Sequence, residues 1–143
     1  RIAAWPRRIG VRETRRLVGR IALSRADVLA GSAHADEVAV STWPIELWQD
    51  HRRALIEYPV APCSIPLGAL VSRSHPRLGM AGRCLSASHA ALGALRVIAT
   101  ALATGEALGI AAAGAADAGG GLGAVAAHDV RARILELAGR AEA

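Results

Sequence analysis

Leu78 to Gly114 reads L-G-M-A-G-R-C-L-S-A-S-H-A-A-L-G-A-L-R-V-I-A-T-A-L-A-T-G-E-A-L-G-I-A-A-A-G, and its order of residue types sets the expected architecture. Leu78 to Ala81 has the length and apolar character of a short buried strand that Gly82 ends. A loop of small residues follows, and a long helix rich in Ala, Gly and Thr is expected to start near Arg96. With so little side chain, this segment lets backbone approach something large and flat. Arg96 is its only charge between Arg83 and Glu106.

Outward from this segment, His75-Pro76 predicts a turn into the strand. Tyr58 to Val71, punctuated by Pro59, Pro62 and Pro66, reads as extended chain ending in the apolar run Leu67 to Val71. Asp36 to Trp48 also reads as extended, with a bend at Pro44, and Asp50 to Glu57 is polar and carries no clear signal. Ser24-Arg25-Ala26-Asp27 has the form of a capping box before a short helix that stops at Gly31. Upstream, the alternation of Ile9 and Val11 in Arg8 to Arg12 predicts a strand that continues through Ile21. Downstream, Gly119-Gly120-Gly121-Leu122-Gly123 reads as a flexible connector. Asp129 then caps a last amphipathic helix with Val130, Ile134 and Leu137 on one face.

Composition narrows the function classes. The 143 residues have enough apolar content for a core, and all 17 basic residues are Arg, with no Lys, Asn or Phe. That bias fits a GC-rich coding sequence better than a functional basic surface. The net charge of +5 is concentrated early, where Arg1, Arg7, Arg8, Arg12, Arg15, Arg16, Arg20 and Arg25 face only Glu13 before Asp27. A nucleic-acid reader would add aromatic platforms, and Trp5 is the one aromatic near this arm. Arg12, Glu13, Arg15 and Arg16 read either as an ion-paired strand or as groups meeting an anionic substrate or the cofactor domain.

Cys63 and Cys84 show neither disulfide-framework nor zinc spacing, which suits reduced thiols and a cytoplasmic location. No secretory signal is visible, and His34, His51, His75 and His128 share no metal-ligand spacing, so no metal site is expected. Val97 to Ala116 has the length of a membrane span, yet its Ala, Gly and Thr content favours a helix buried on most sides inside a protein, with no membrane contact. The G-x-x-x-G at Gly105 and Gly109 suggests close packing of that helix on a sheet, and Cys84 is expected to pack as a small hydrophobe.

The stretch G-R-C-L-S-A-S-H at Gly82 to His89, leading through Gly93 and Arg96 into T-G-E-A at Thr104 to Ala107, resembles the FAD-contacting segment of FAD-dependent oxidoreductases of the heterodisulfide-reductase-like group. In that group G-R-C-[IL]-S-A-[ST]-H leads into T-x-x-A-[TL]-G-x-A. The likeness extends to P-R-R-I-G-V-R-E-T-R-R-L-V-G-R at Pro6 to Arg20, to Leu23–Gly31 and to W-P-I-E-L at Trp43 to Leu47. The family's His after W-P-I-E is replaced here by Leu47 and Trp48, its aromatic after Ile65-Pro66 by Leu67-Gly68, and its T-H-E by Ser88-His89-Ala90. These changes remove polar or stacking groups expected near substrate.

The resemblance implies an α/β fold: the C-terminal portion of a Rossmann-like flavoprotein with part of a mixed-sheet substrate (cap) domain. Residues 1–75 would belong to the cap domain, 76–118 would supply a strand and helix of the FAD-binding domain, and 119–143 would form a glycine linker and terminal helix. Because no strand–G-x-G-x-x-G–helix unit occurs, the chain is expected to be a C-terminal piece, inactive alone, whose partner is the nucleotide-binding half of the same protein. Self-association of the piece is also expected.

By the same resemblance FAD would be the cofactor, held by Gly82, Arg83, Cys84, Gly93, Arg96 and Val97. His89 and Arg96 would act in catalysis on an organic substrate, His89 moving a proton and Arg96 stabilising charge at the flavin's N1/O2 edge. The competing reading is a non-enzymatic Arg-rich module that binds nucleic acid or a protein partner.

Overall fold

The computed structural model describes residues 3, 4, 7, 10–50 and 52–141. Trp5, Arg8, Ile9 and His51, together with the start of the first expected strand, lie outside the described residues.

The capping box forms as the sequence predicts. Helix α1 spans Arg25–Ala30: Ser24 Oγ accepts from the Asp27 N–H, and the Asp27 carboxylate accepts from the Ser24 N–H at 2.8 Å. Gly31 closes the helix in the left-handed region at φ 60°, its N–H donating to the carbonyls of Asp27 and Val28. Glycine is required there twice over, because an added Cβ would also lie 2.7 Å from the Ala61 carbonyl oxygen.

Four strands follow as two antiparallel pairs: β1 (Glu37–Ser41), β2 (Ile45–Trp48), β3 (Ala54–Glu57) and β4 (Cys63–Pro66). β1 pairs with β4, setting Val40 opposite Ser64, and β2 pairs with β3, setting Leu47 opposite Leu55. The break at Thr42 to Pro44 sends β1 and β2 into different pairs, consistent with the bend expected at Pro44. The hairpin partner β3 comes from the polar stretch that carries no clear signal in the sequence. Its residues are mostly exposed, so no alternation of apolar positions marks it.

Two expected strands are not regular strands. Between Gly10 and Ile21 the chain is irregular, with one isolated antiparallel bridge at Gly19 to Ser72, although it is tied down by backbone hydrogen bonds. Leu17 N–H donates to Cys84 O at 2.8 Å, Arg20 N–H to Val71 O at 3.2 Å and Ile21 N–H to Gly68 O at 3.1 Å. The partners lie in separate turns of chain, so no continuous ladder forms. Leu78 to Ala81 likewise makes one isolated bridge, Gly79 to Val71, instead of completing a sheet.

The helix expected from near Arg96 forms, but part of the small-residue stretch expected to be a loop is a separate helix. α2 covers His89–Leu95, Arg96 closes it, and α3 runs Ile98–Asp117 with Val97 as its extended N-cap. The last helix, α4, spans Ala127–Ala141; Asp129 sits inside its first turn, and Val130 is buried with Ile134 packed beside it. The glycine cluster is partly structured: Gly119 takes φ 64° and a short 3-10 turn forms at Leu122–Ala124.

One hydrophobic core joins all these segments, from Leu23 and Val28 through Ile45, Ile65 and Leu70 to Leu92, Ala111 and Val130. α2 is buried from Ala91 through Leu95, whereas α3 buries the single stripe Thr100, Thr104, Ala107, Ala111 and Ala115. α3 is thus not buried on most sides: 28% of its most apolar window is inside, and Ile98 and Leu102 are 79% and 70% exposed. It has the length and mean hydropathy (1.4) to cross a membrane. Gly105 and Gly109 face open space, and it is Thr104, whose Oγ1 accepts from the Gly82 N–H at 3.1 Å, that sits in the close contact.

The Asp27 carboxyl is held below its usual range, first by the Ser24 backbone N–H and then by the Ser24 hydroxyl. A depressed carboxyl contributes its stability above the unfolded-state value and loses it as pH falls through the folded-state value. Asp27→Ala should therefore lower stability by about 1 kcal/mol at neutral pH. In urea denaturation the deficit should shrink below about pH 4, where the wild type loses the same contribution. An equal deficit at pH 7 and pH 3 would show that the carboxylate is not what holds the cap.

Candidate functional site

The site is built where α2 seats on β2. Gly93 makes this possible: a Cβ there would lie 3.0 Å from Glu46 O, 3.2 Å from Glu46 N and 3.2 Å from Ile45 Cγ2. Helix backbone and strand backbone therefore touch, and α2 ends directly over the strand. At that end Arg96, half-buried, donates from Nη2 to Glu46 O at 3.3 Å. The Glu46 carboxylate accepts from Trp43 Nε1 at 3.2 Å.

Two adjoining cavities open on this junction. One, of about 500 Å³, is lined by Arg12, Glu13, Glu46, Trp48, His89 and Arg96 among others. The second, of about 750 Å³, shares Arg12, Glu46, Gly93 and Arg96 and runs on past Arg83, Val97 and Ala101. The groove has cationic walls from Arg12, Arg83 and Arg96. Both carboxylates facing it are engaged, Glu46 by Trp43, and Glu13 by an ion pair with Arg16 and a 2.7 Å hydrogen bond to His89 Nδ1.

The N-terminus of α3 adds donors to the same groove. The first N–H groups of a helix have no partner within it, and Val97 offers no polar side chain to cap those of α3. A 20-residue helix directs the positive end of its dipole to this point. The groove thus combines three guanidinium groups, free backbone donors and apolar surface from Val97, Ala101 and Trp43.

The sequence-selected residues divide in two. Arg83, Gly93, Arg96, Val97 and His89 all line the groove. Gly82 and Cys84 do not: Gly82, at φ 60°, is buried with its N–H donating to Thr104 Oγ1 at 3.1 Å, and Cys84 is exposed outside both cavities instead of packed. Ala87, Ala91 and Ala94 are core residues, so their smallness serves packing. Reading the sequence assigns no role to Glu46 and links Glu13 to no histidine. The W-P-I-E motif was the available signal for Glu46, but Glu13 and His89 are too far apart in the chain for any local pattern to join them.

A family model described as FAD dependent oxidoreductase matches residues 1–134. The chain belongs to the FAD-dependent oxidoreductases. No curated protein and no solved structure gives a significant match. The cofactor of this FAD-dependent oxidoreductase is FAD, and the groove's donor set fits part of it: cations and unpaired N–H groups suit the acceptor edge of an isoalloxazine, and the apolar wall suits its rings. The described residues include no group of three or more His, Cys, Asp or Glu able to hold a metal ion.

Elsewhere, Cys63 is fully buried in β4, and burial pushes its thiol up to about 11. It packs in the hydrophobic core, whereas Cys84 is exposed.

If backbone contact at Gly93 sets the groove, Gly93→Ala should force β2 away from α2. The expected cost is about 1–3 kcal/mol from overpacking, read as a fall in thermal midpoint, with the largest amide shifts in NMR spectra at Glu46 and Arg96. Unchanged stability and unchanged shifts at Glu46 would show that the two elements separate freely.

Proposed function

We propose that this FAD-dependent oxidoreductase chain forms the flavin-side wall of the active site, with Arg96 and the start of α3 against the N1/O2 edge of the isoalloxazine and His89 on the substrate side. The observation that carries this reading is the convergence of Arg96, Arg83 and the uncapped N-terminus of α3 on one groove. Negative charge collects at the N1/O2 edge of a flavin when it is reduced, and preorganised cations and N–H donors stabilise it there. FAD supplies hydride and electron transfer when bound; the protein's residues bind, orient and tune it.

Arg96 is positioned for that role before any ligand arrives. Its bond to Glu46 O uses one of several donors, leaving the rest of the guanidinium for the groove. Val97 and Ala101 give the groove an apolar wall on one side, and a charge-assisted contact is worth more beside apolar surface than in bulk water. His89, on the first turn of α2, holds a ring nitrogen where a substrate proton can be accepted or returned.

The reading extends to how the cofactor's other half is held. A Rossmann pyrophosphate cradle needs a strand, a G-x-G-x-x-G turn and a helix, and the chain's glycine cluster, Gly119 to Gly123, follows helix α3 instead of a strand. We therefore assign the ADP half of FAD to a nucleotide-binding part outside this sequence, with these 143 residues belonging to the C-terminal, heterodisulfide-reductase-like side of the enzyme. We also assign residues 1–75 to part of the substrate (cap) domain and the protein to the cytoplasm.

Two measurements test the proposal. By calorimetry, the 143-residue chain should bind FAD weakly or not at all, and submicromolar affinity would contradict the division of the cofactor. In the complete flavoenzyme, Arg96→Met should lower the flavin midpoint potential with the cofactor still bound. Losing one charge-assisted contact of about 1.5–3 kcal/mol corresponds to tens of millivolts for a two-electron couple. An unchanged potential would remove Arg96 from the flavin edge.

A further inference from the structure

We infer that Glu13 is a positioning residue that fixes the proton of neutral His89 on Nδ1 and so leaves Nε2 as the proton acceptor in the groove. The inference rests on the reading that His89 faces substrate, and it assigns to Glu13 a role that neither the family nor its cofactor specifies.

Three observations carry it. His89 Nδ1 lies 2.7 Å from Glu13 Oε2, within the range of a charge-assisted hydrogen bond. An ionised carboxylate only accepts, so in the neutral imidazole the nitrogen facing it must carry the hydrogen, and the other nitrogen is then a bare acceptor. Glu13 is itself tethered: its other oxygen, Oε1, pairs with Arg16, and its side chain is 25% exposed against 73% for His89. The carboxylate is the fixed member of the pair and the imidazole is the member presented to the cavity. Both line the 500 Å³ space that also holds Arg12 and Arg96, and Nε2 has no hydrogen-bond partner among the described residues.

The pair spans 76 positions of sequence, joining the irregular N-terminal segment to the first turn of α2. Two backbone bonds hold the geometry on either side: Leu17 N–H to Cys84 O at 2.8 Å and Ser88 N–H to Leu23 O at 2.8 Å. Ser88 also caps α2, accepting from the Ala91 N–H at 3.2 Å, which sets the direction in which His89 leaves the helix. The carboxylate is thus placed by one segment and the imidazole by another. That is the arrangement a carboxylate uses to select a tautomer in other acid–base sites.

Long-range nitrogen–proton NMR of His89 reads the tautomer directly, without flavin or turnover. In the wild type, neutral His89 should be mainly the Nδ1–H form. In Glu13→Gln and Glu13→Leu, the ratio should move at least roughly tenfold toward Nε2–H, with the circular dichroism spectrum and thermal midpoint little changed. A wild-type Nε2–H majority, or the same ratio in wild type and both variants, overturns the inference, and the wild-type measurement decides even if a variant folds poorly.

In the complete enzyme, Glu13→Gln should lower kcat about tenfold or more with KM nearly constant, and Glu13→Asp should restore part of it. A changed tautomer with unchanged kcat would overturn the catalytic consequence. Failure of the Arg96→Met potential test would count against the flavin-wall reading while leaving the tautomer result standing, so the two are separable.

Discussion

The contact between the α2 backbone and the β2 backbone at Gly93 is the constraint from which the site follows. A Cβ at that position would press on the Glu46 backbone and Ile45 and push helix and strand apart by a few tenths of an ångström, straining the 3.3 Å bond from Arg96 to Glu46 O. The absence of an atom therefore does two things at once. It seals the core through Ala91, Leu92, Ala94 and Leu95, and it brings the C-terminal end of α2 and the N-terminal end of α3 over one groove.

The junction between those helices matters as much as the helices. Had α2 and α3 been one rod, the N–H groups of Ile98, Ala99 and Thr100 would have been satisfied by carbonyls of the preceding turn. The break at Arg96 and Val97 frees them beside a guanidinium. The Arg96 side chain, donating to β2, binds the end of the first helix to the hairpin. Electrostatic character in the groove thus comes from an interruption of regular structure, while the burial that makes it rigid comes from the regular parts on either side.

What could be read in the sequence was local in origin. Ser24, Asp27 and Gly31 define α1 because a cap and a left-handed stop are properties of neighbouring residues, and Val130 with Ile134 betray the inner face of α4 for the same reason. Within the described residues, the strand expected to run on to Ile21 and the one expected at Leu78 to Ala81 do not form ladders. Their backbone hydrogen bonds go singly to Cys84, Val71, Gly68 and Leu70, which lie on separate turns of the chain, so no ladder builds up. The start of α3 near Arg96 is legible, whereas α2 is not, because a short run of small residues reads equally as a loop. At the site, motif and spacing located His89, Arg83, Gly93, Arg96 and Val97. Gly82 and Cys84 belong to the same motif but turn away, since a 3-10 turn at Gly82–Cys84 points them at Thr104 and at solvent.

The unequal burial of the two cysteines gives the molecule an internal clock for its own opening. Alkylating reagents attack the thiolate, so exposed Cys84 can be consumed from the native state, whereas Cys63, enclosed in β4 with its thiol shifted to about 11, is protected. After Cys84 is blocked, the remaining labelling rate counts the events in which the core around Cys63 in β4 opens. Because Cys63 sits opposite Ser41 at one end of the β1–β4 pair and inside the core, the count is of openings at that end of the sheet.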